Sequence, residues 1–433
     1  MFAALGGKRA GCNDHERGGG GRAVRNHCRI AGDCRTAITL QSGEPRMRIF
    51  SALVVLTLCI VVTGTARLHA DPLSDELAAR LPAERKGQVL LYGAYGFTGK
   101  GIARLAARYD IVPVLSGRNP EKLQALADEV GYTHVPLTLD NHDRLVEVLR
   151  HFELVMHIAG PYTYTAKPML DAAVEATHYV DLTGEMHVIQ AQLDRHEEFR
   201  SADIMVMPAV GFDVVPTDCL NLYVARKVQN PLRLELLINS DYETAEGAQA
   251  SRGTIKSGLE MLSRPLLMRI DGQMIEVEKP KVVTREIDGQ SRKLVQIPWA
   301  DMVTSWVSTG VPTIEVYQHQ SGELPDWVLW LIRRQWGKDM LIWLVDHFFP
   351  EGPPPEARAQ RRVQLIATAS NARGESFSAE MITPEPYRLT FHSALIVARR
   401  ILNGQWEAGF QTPAKLYGPD LALEIPGVSR RDL

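Results

Sequence analysis

Three glycines spaced three residues apart, Gly93, Gly96 and Gly99, stand between an apolar run, Val89 to Tyr92, and a stretch with the Ile/Leu/Ala period of a helix. Residues of these types can cradle an anion. Gly93 permits a sharp turn off a strand, Gly96 removes a Cβ where a pyrophosphate must approach the backbone, and Gly99 lets the helix lie close to the sheet. With Tyr95 beside them in the loop, the amides of Phe97 and Thr98 would be free donors at a helix N-terminus, where the macrodipole favours negative charge.

A second apolar run, Ile111 to Leu115, ends in Ser116, Gly117 and Arg118. In dinucleotide-binding folds an acidic residue at this point binds the ribose 2′-hydroxyl of NAD, whereas Ser116 and Arg118 suit the 2′-phosphate of NADP(H). The expected cofactor is therefore NADP(H). Its expected contacts are Gly93, Tyr95, Gly96, Phe97, Thr98, Gly99, Ser116 and Arg118, joined by Asp140 and by Ala159, Gly160 and Pro161 at later strand ends. The spacing is G-x-x-G-x-x-G rather than the commoner G-x-G-x-x-G, so a glycine-rich turn of another α/β protein is the competing reading.

Tyr162 follows Pro161 directly. A phenol there could donate a proton or orient a substrate carbonyl, or it could simply pack over the cofactor pocket. Asp181, Glu185, Asp213 and Asp218 follow later apolar runs. Such carboxylates become general acids or bases when burial raises their pKa, and more often they cap helices and fix loops. Tyr162 and Asp213 are the catalytic candidates. Arg252 is the candidate substrate anchor, since its planar fork binds oxyanions in bidentate fashion, although it could equally tie two domains together. Tyr223 and Lys227 form a Tyr-x-x-x-Lys, but Gly211 to Pro216 lacks the serine that short-chain dehydrogenases need, so this spacing is read as chance. The histidines lack the i, i+4 pairing of a zinc helix, and no metal is expected.

The elements that must position these groups alternate. Pro120 to Val130, capped by Asn119, Asn141 to Phe152, and Lys167 to Ala176 read as helices between strands at His134 to Leu139, Leu154 to Ala159, Tyr179 to Leu182 and Ile204 to Val210. That rhythm predicts a Rossmann-type doubly wound parallel sheet over residues 86–225. Asp271-Gly272, Asp288-Gly289 and Asn371 to Gly374 are hairpin signals, so residues 226–386 are expected to form a second α+β domain on an antiparallel or mixed sheet. Within it, Trp327 to Phe349 reads as a pair of helices packed on the second domain or across a dimer interface, or as a membrane-surface segment, and Glu351 to Pro355 as a linker.

The chain has 433 residues, 45% hydrophobic and 23% charged, with a net charge of −3, which suits a small-molecule enzyme and argues against a nucleic-acid partner. Residues 1–46, rich in Gly and Arg, are expected to be a disordered extension or the product of a mis-assigned start. Residues 47–70 have the basic start and apolar core of a signal peptide or membrane anchor, with membrane contact through 49–66. On that reading the protein is exported or membrane-associated; if the start is mis-assigned, it is cytoplasmic.

The segments YGAYGFTG, SGRNPEKL, HIAGPY, HYVDLTGE and VGFDVVPTDC, continued by SRGT, STGVPTIEVY and GFQTPAKLYGPDLALEIPGV, together resemble the saccharopine dehydrogenase-like oxidoreductases. That group includes trans-acting enoyl reductases of bacterial complex-lipid synthesis. The resemblance implies a dinucleotide-binding domain, a mixed-sheet domain that tends to pair as a homodimer, and a C-terminal segment, 387–433, that returns to the first domain. It implies an NADP(H)-dependent oxidoreductase acting on a C=C, C=O or C=N bond of a small, lipid-like substrate. The alternative is a dinucleotide-binding scaffold or redox sensor without turnover, associated with a membrane.

Overall fold

The computed structural model describes residues 75–243, 250–287, 289–319 and 325–433. The expected N-terminal extension, leader or anchor and the 49–66 membrane contact lie outside them, as does Asp288. Among the described residues no helix is long and apolar enough to cross a membrane.

Six parallel strands alternate with helices from residue 89 onward: β1 (Val89–Tyr92), β2 (Val114–Gly117), β3 (His134–Pro136), β4 (Leu154–His157), β5 (His178–Asp181) and β6 (Met205–Met207). Their spatial order, β3-β2-β1-β4-β5-β6, is that of a Rossmann-type doubly wound sheet, which opens a crevice where β1 and β4 diverge at their carboxyl ends. Every side chain of β1 and β4 is buried, because helices cover both faces. Asn119 and Asn141 each accept the amide three residues on, at 2.8 and 3.0 Å, and so start the helices Pro120–Val130 and His142–Leu149.

The second sheet is mixed. It contains β7 (Arg233–Glu243), β8 (Leu267–Ile270), β9 (Gln273–Glu276), β10 (Val282–Ile287), β11 (Gln290–Gln296), β12 (Thr313–His319), β13 (Arg362–Ser370) and β14 (Ser376–Pro384). β7 and β12 pair in parallel, while β10 with β11 and β13 with β14 form antiparallel hairpins. Asp271 and Gly272 both take positive φ, 49° and 79°, in the tight turn between β8 and β9.

The C-terminal residues serve both sheets. β15 (Gly409–Phe410) extends the parallel sheet beside β6, and β16 (Ser429–Asp432) pairs with β14. Against β13, β14 and β7 of the second sheet packs the almost wholly buried helix Val215–Ala225. Its polar residues are matched across elements far apart in sequence. Thr217 and Asn221 donate to Asp301 at 2.9 and 3.1 Å, and Ser308 donates to Asp218 at 2.8 Å. Burial pushes the Asp218 carboxyl up to about 6 and that of Asp301 well above its ordinary value.

Candidate active site at the carboxyl edge of the parallel sheet

The glycine loop leaves β1 at Gly93 and enters the helix Phe97–Leu105 at Gly96. Gly93 has φ 87°, and a Cβ on it would lie 2.9 Å from the Ala159 nitrogen, so the turns after β1 and β4 touch at a point only glycine can occupy. A Cβ on Gly99 would lie 2.4 Å from the Gly93 carbonyl oxygen. Gly96, by contrast, would meet only that oxygen, at 3.3 Å, and its outer side is open. The amides of Phe97 and Thr98 have no acceptor among the described residues. Open backbone, free donors and a helix N-terminus together fit a pyrophosphate.

Past β2, Tyr95 lays its ring over Gly117, and the Lys122 ammonium stands 5.8 Å from the centre of that ring. Arg118 is exposed and forms no ion pair among the described residues. Ser116 does not share this position. Strand alternation turns its side chain into the sheet, where the hydroxyl donates to the Val135 carbonyl at 2.8 Å, so the expectation of a cofactor contact through it is corrected. The Asp140 carboxylate takes the Thr138 hydroxyl as a donor, which holds its pKa below the usual value.

After β4 the chain runs Ala159-Gly160-Pro161, with a cis bond before the proline, and enters a helix at once. The sequence places that helix at Lys167, but it begins at Tyr162. Aromatic and β-branched residues and the internal Pro168 disfavour its first turns. A distant carboxylate compensates. Glu185, fully buried, accepts the amides of Tyr162 and Thr163 at 2.8 and 2.7 Å and the Ser257 hydroxyl at 3.0 Å. Thr163 gives its only hydroxyl proton to Glu185 at 2.6 Å, so the 2.8 Å contact with His187 Nε2 has the histidine donating. Burial pushes His187 down to about 4, leaving a neutral ring whose Nδ1 is an acceptor.

The Tyr162 phenol turns inward. It donates to the His157 carbonyl at 3.2 Å and accepts the Leu182 amide at 3.3 Å, while burial raises its pKa well above the ordinary value. Asp181 is likewise committed. It accepts the amides of Thr183 and Ala209 at 2.9 and 3.0 Å, and the Tyr179 hydroxyl and Gln192 amide, both at 2.9 Å. These four bonds hold the ends of β5 and β6 in place. Because Tyr179 spends its proton on Asp181, His157 Nδ1–H donates to Tyr179 at 3.0 Å, and its buried Nε2 has no hydrogen-bond partner of good geometry among the described residues.

Asp213 differs from its neighbours. It lies beyond β6, its carboxylate sits against Gly184, and neither oxygen has a hydrogen-bond donor among the described residues. It does not cap the helix Val215–Ala225, whose N-cap is Val214. Burial alone pushes it up to about 6, the range in which a carboxyl can both give and take a proton.

Arg252 lies in the second domain, beside the Glu351 that pairs with Lys100 of the glycine-loop helix. Its Nε donates to the Phe349 carbonyl at 2.7 Å, and its amide meets the Glu351 carbonyl at 3.3 Å, so it ties segments of the second domain through these two groups. The helix that it begins, Arg252–Leu262, does reach the site through Ser257 and through Glu260, which accepts the Tyr164 hydroxyl at 2.8 Å. The stretch read as a linker is a strap over the glycine loop. Gly352 abuts the Phe97 ring, Arg358 lies 5.3 Å from the ring centre, and Lys100 pairs with Glu351 at 3.1 Å. Neither Glu185 as a distant cap nor this strap was legible beforehand. The one sequence signal for the cap was a Glu four residues past Asp181, with no indication of which helix it serves. Tyr223, meanwhile, donates to Asp432 at 2.8 Å on the far side of the helix Val215–Ala225 and takes no part in the site. Among the described residues no His, Cys, Asp and Glu are grouped as metal ligands.

A glycine cradle at the switch point of a 3-2-1-4-5-6 sheet defines a nicotinamide dinucleotide-binding α/β fold. Within that class, residues 89–207 match the family model of the saccharopine dehydrogenase NADP binding domain. A trans-acting enoyl reductase of Mycobacterium ulcerans is 31% identical over 150 residues, which is 33% of this chain and 36% of that protein. A saccharopine dehydrogenase-like oxidoreductase of Homo sapiens is 26% identical over 199 residues, 41% of this chain and 46% of that one. Each match spans less than half the length of the relative. The structure of apo saccharopine dehydrogenase (L-Glu forming) from Saccharomyces cerevisiae superposes with a TM-score of 0.53 at 14% identity, covering 80% of this chain and 99% of that one, which establishes the shared fold.

Proposed function

We propose that the chain is an NADP(H)-dependent oxidoreductase that moves a hydride to or from a C=C, C=O or C=N bond of a small, lipid-like substrate. The carrying observation is the unpaired, half-buried Asp213 carboxylate at the same carboxyl edge as the Gly93–Gly99 cradle. When bound, the dinucleotide supplies or accepts the hydride. The free amides of Phe97 and Thr98 would hold the pyrophosphate, and Arg118 and Lys122 would supply the positive charge for the 2′-phosphate. Asp213 gives or takes the proton that accompanies the hydride at the adjacent substrate atom. Tyr162 acts as a positioning residue, since both of its polar contacts are backbone groups. The lipid-like substrate is supported by the likeness to trans-acting enoyl reductases and by the apolar surface of the second domain.

Fluorescence titration of the full chain with NADPH and NADH tests the cofactor assignment. Arg118→Ala should weaken NADPH binding about 10- to 100-fold, roughly one to two tenfold steps of affinity, and leave NADH within about twofold. Equal loss of both would overturn the role of Arg118. Oxidation of NADPH in the presence of enones and enoyl thioesters then tests turnover. Tight binding with no oxidation by any of them would favour a non-catalytic dinucleotide-binding protein.

A further inference from the structure

We infer that the helical hairpin formed by Asp326–Ile332 and Gln335–Phe348 is a docking surface for an anionic lipid bilayer. Trp327, Trp330, Trp336, Trp343 and Phe348 are exposed to 67%, 53%, 59%, 53% and 71%. A folded surface normally buries side chains of this size. They are placed in register. Trp327 and Trp330 share one face of the first helix, Trp336, Met340 and Trp343 share one face of the second, and the rings of Trp330 and Trp336 meet at 6.0 Å across the turn. The opposite face is buried and anchored, through Val345 and through Lys338, which pairs with Glu260 at 2.8 Å.

The charges around the aromatic face choose the occupant. Each acid with a described side chain on the second helix is engaged: Asp346 pairs with Lys256, and Asp339 accepts the Gln335 side-chain amide at 2.8 Å. Arg333 and Arg334, in the turn between the helices, are exposed and form no ion pair among the described residues, and Arg334 lies 5.4 Å from the Trp330 ring centre. Indole rings sit at headgroup depth with their apolar bodies toward the acyl chains, and unpaired arginines beside them bind lipid phosphates. The hairpin continues at Phe349 and Glu351 into the strap that covers Phe97, so the docked face lies one short segment from the cofactor loop.

The test uses the full chain with phosphatidylcholine vesicles, with and without one quarter phosphatidylglycerol, and with brominated acyl chains. The apolar run 49–66 contains no tryptophan, whereas four of the seven tryptophans lie on the hairpin, so bromolipid quenching reports on the hairpin and not on the N-terminus. The expected result is strong quenching on anionic vesicles. The Trp327→Ser/Trp330→Ser/Trp336→Ser/Trp343→Ser variant should bind at least tenfold more weakly, and Arg333→Glu/Arg334→Glu should abolish the preference for phosphatidylglycerol while still binding NADPH. Vesicle binding without quenching, binding unchanged in both variants, or no binding would overturn the proposal. So would a concentration-dependent dimer in light scattering that the tryptophan variant dissociates, because the face would then be covered by a second copy.

Discussion

Glu185 closes the N-terminus of a helix that starts 23 residues earlier, its Oε1 lying 2.8 Å from the amide of Tyr162. The turn after β5 thereby fixes the turn after β4, and through Ser257 the same carboxylate holds the helix Arg252–Leu262 of the second domain. One buried anion satisfies donors from both halves of the site.

Replacing Glu185 with Gln keeps the shape and removes the charge. The loss of charge-assisted bonds to two helix amides should cost about 1–3 kcal/mol, read as a lower urea midpoint with an unchanged m-value. Wild-type stability would show that the helix start needs no anion.

Tyr162→Phe separates positioning from acid–base chemistry. It leaves the Leu182 amide and the His157 carbonyl without their buried partner, for about 1–2 kcal/mol of stability. Turnover should fall by less than about tenfold. A loss of roughly a thousandfold with full cofactor binding would assign the phenol a proton-transfer role.

Asp213 carries a pH signature with a definite sign. Its folded pKa, about 6, lies above the ordinary 3.8, so the native state holds a proton that the unfolded chain releases. Wild-type stability should therefore decline, relative to Asp213→Asn, as pH rises from about 4 to about 6, and stay lower above that. The asparagine variant should gain about 1–3 kcal/mol at neutral pH and lose at least about a hundredfold in turnover. Chemical denaturation at acidic and neutral pH, with rates beside it, checks both. A variant that is no more stable at neutral pH would place the carboxylate in water.

Gly93→Ala should be unable to hold dinucleotide. A residue at φ 87° with its Cβ 2.9 Å from the Ala159 nitrogen must displace the turn after β4, at a cost of at least about 2 kcal/mol. Calorimetric titration with NADPH should show no saturable heat, and unchanged affinity would refute the close contact.

The Lys338 and Glu260 pair is buried on both sides and has the Tyr164 hydroxyl as a third partner. Lys338→Met strands the Glu260 charge and should cost about 3–5 kcal/mol, most of it recovered in Lys338→Met/Glu260→Leu. Thermal unfolding of the single and double variants decides. No recovery in the double variant would mean that packing, not the stranded charge, sets the loss.

Local rules were enough for much of this chain. Asn119 before Pro120, the apolar tetrad of β1, the Asp271-Gly272 turn and the glycine triplet each carry their instruction within a few residues, because capping, period and backbone freedom are short-range effects. The parallel sheet followed from their alternation. Tertiary structure decided the rest. Ser116 faces Val135 because β3 lies beside it, the Tyr162 helix starts early because Glu185 arrives from the next turn, and Arg252 is claimed by Phe349. Asp181 and Asp213 are the same residue type at successive strand ends. Among the described residues four donors converge on the first and none on the second, and only the folded chain brings those donors to one and withholds them from the other.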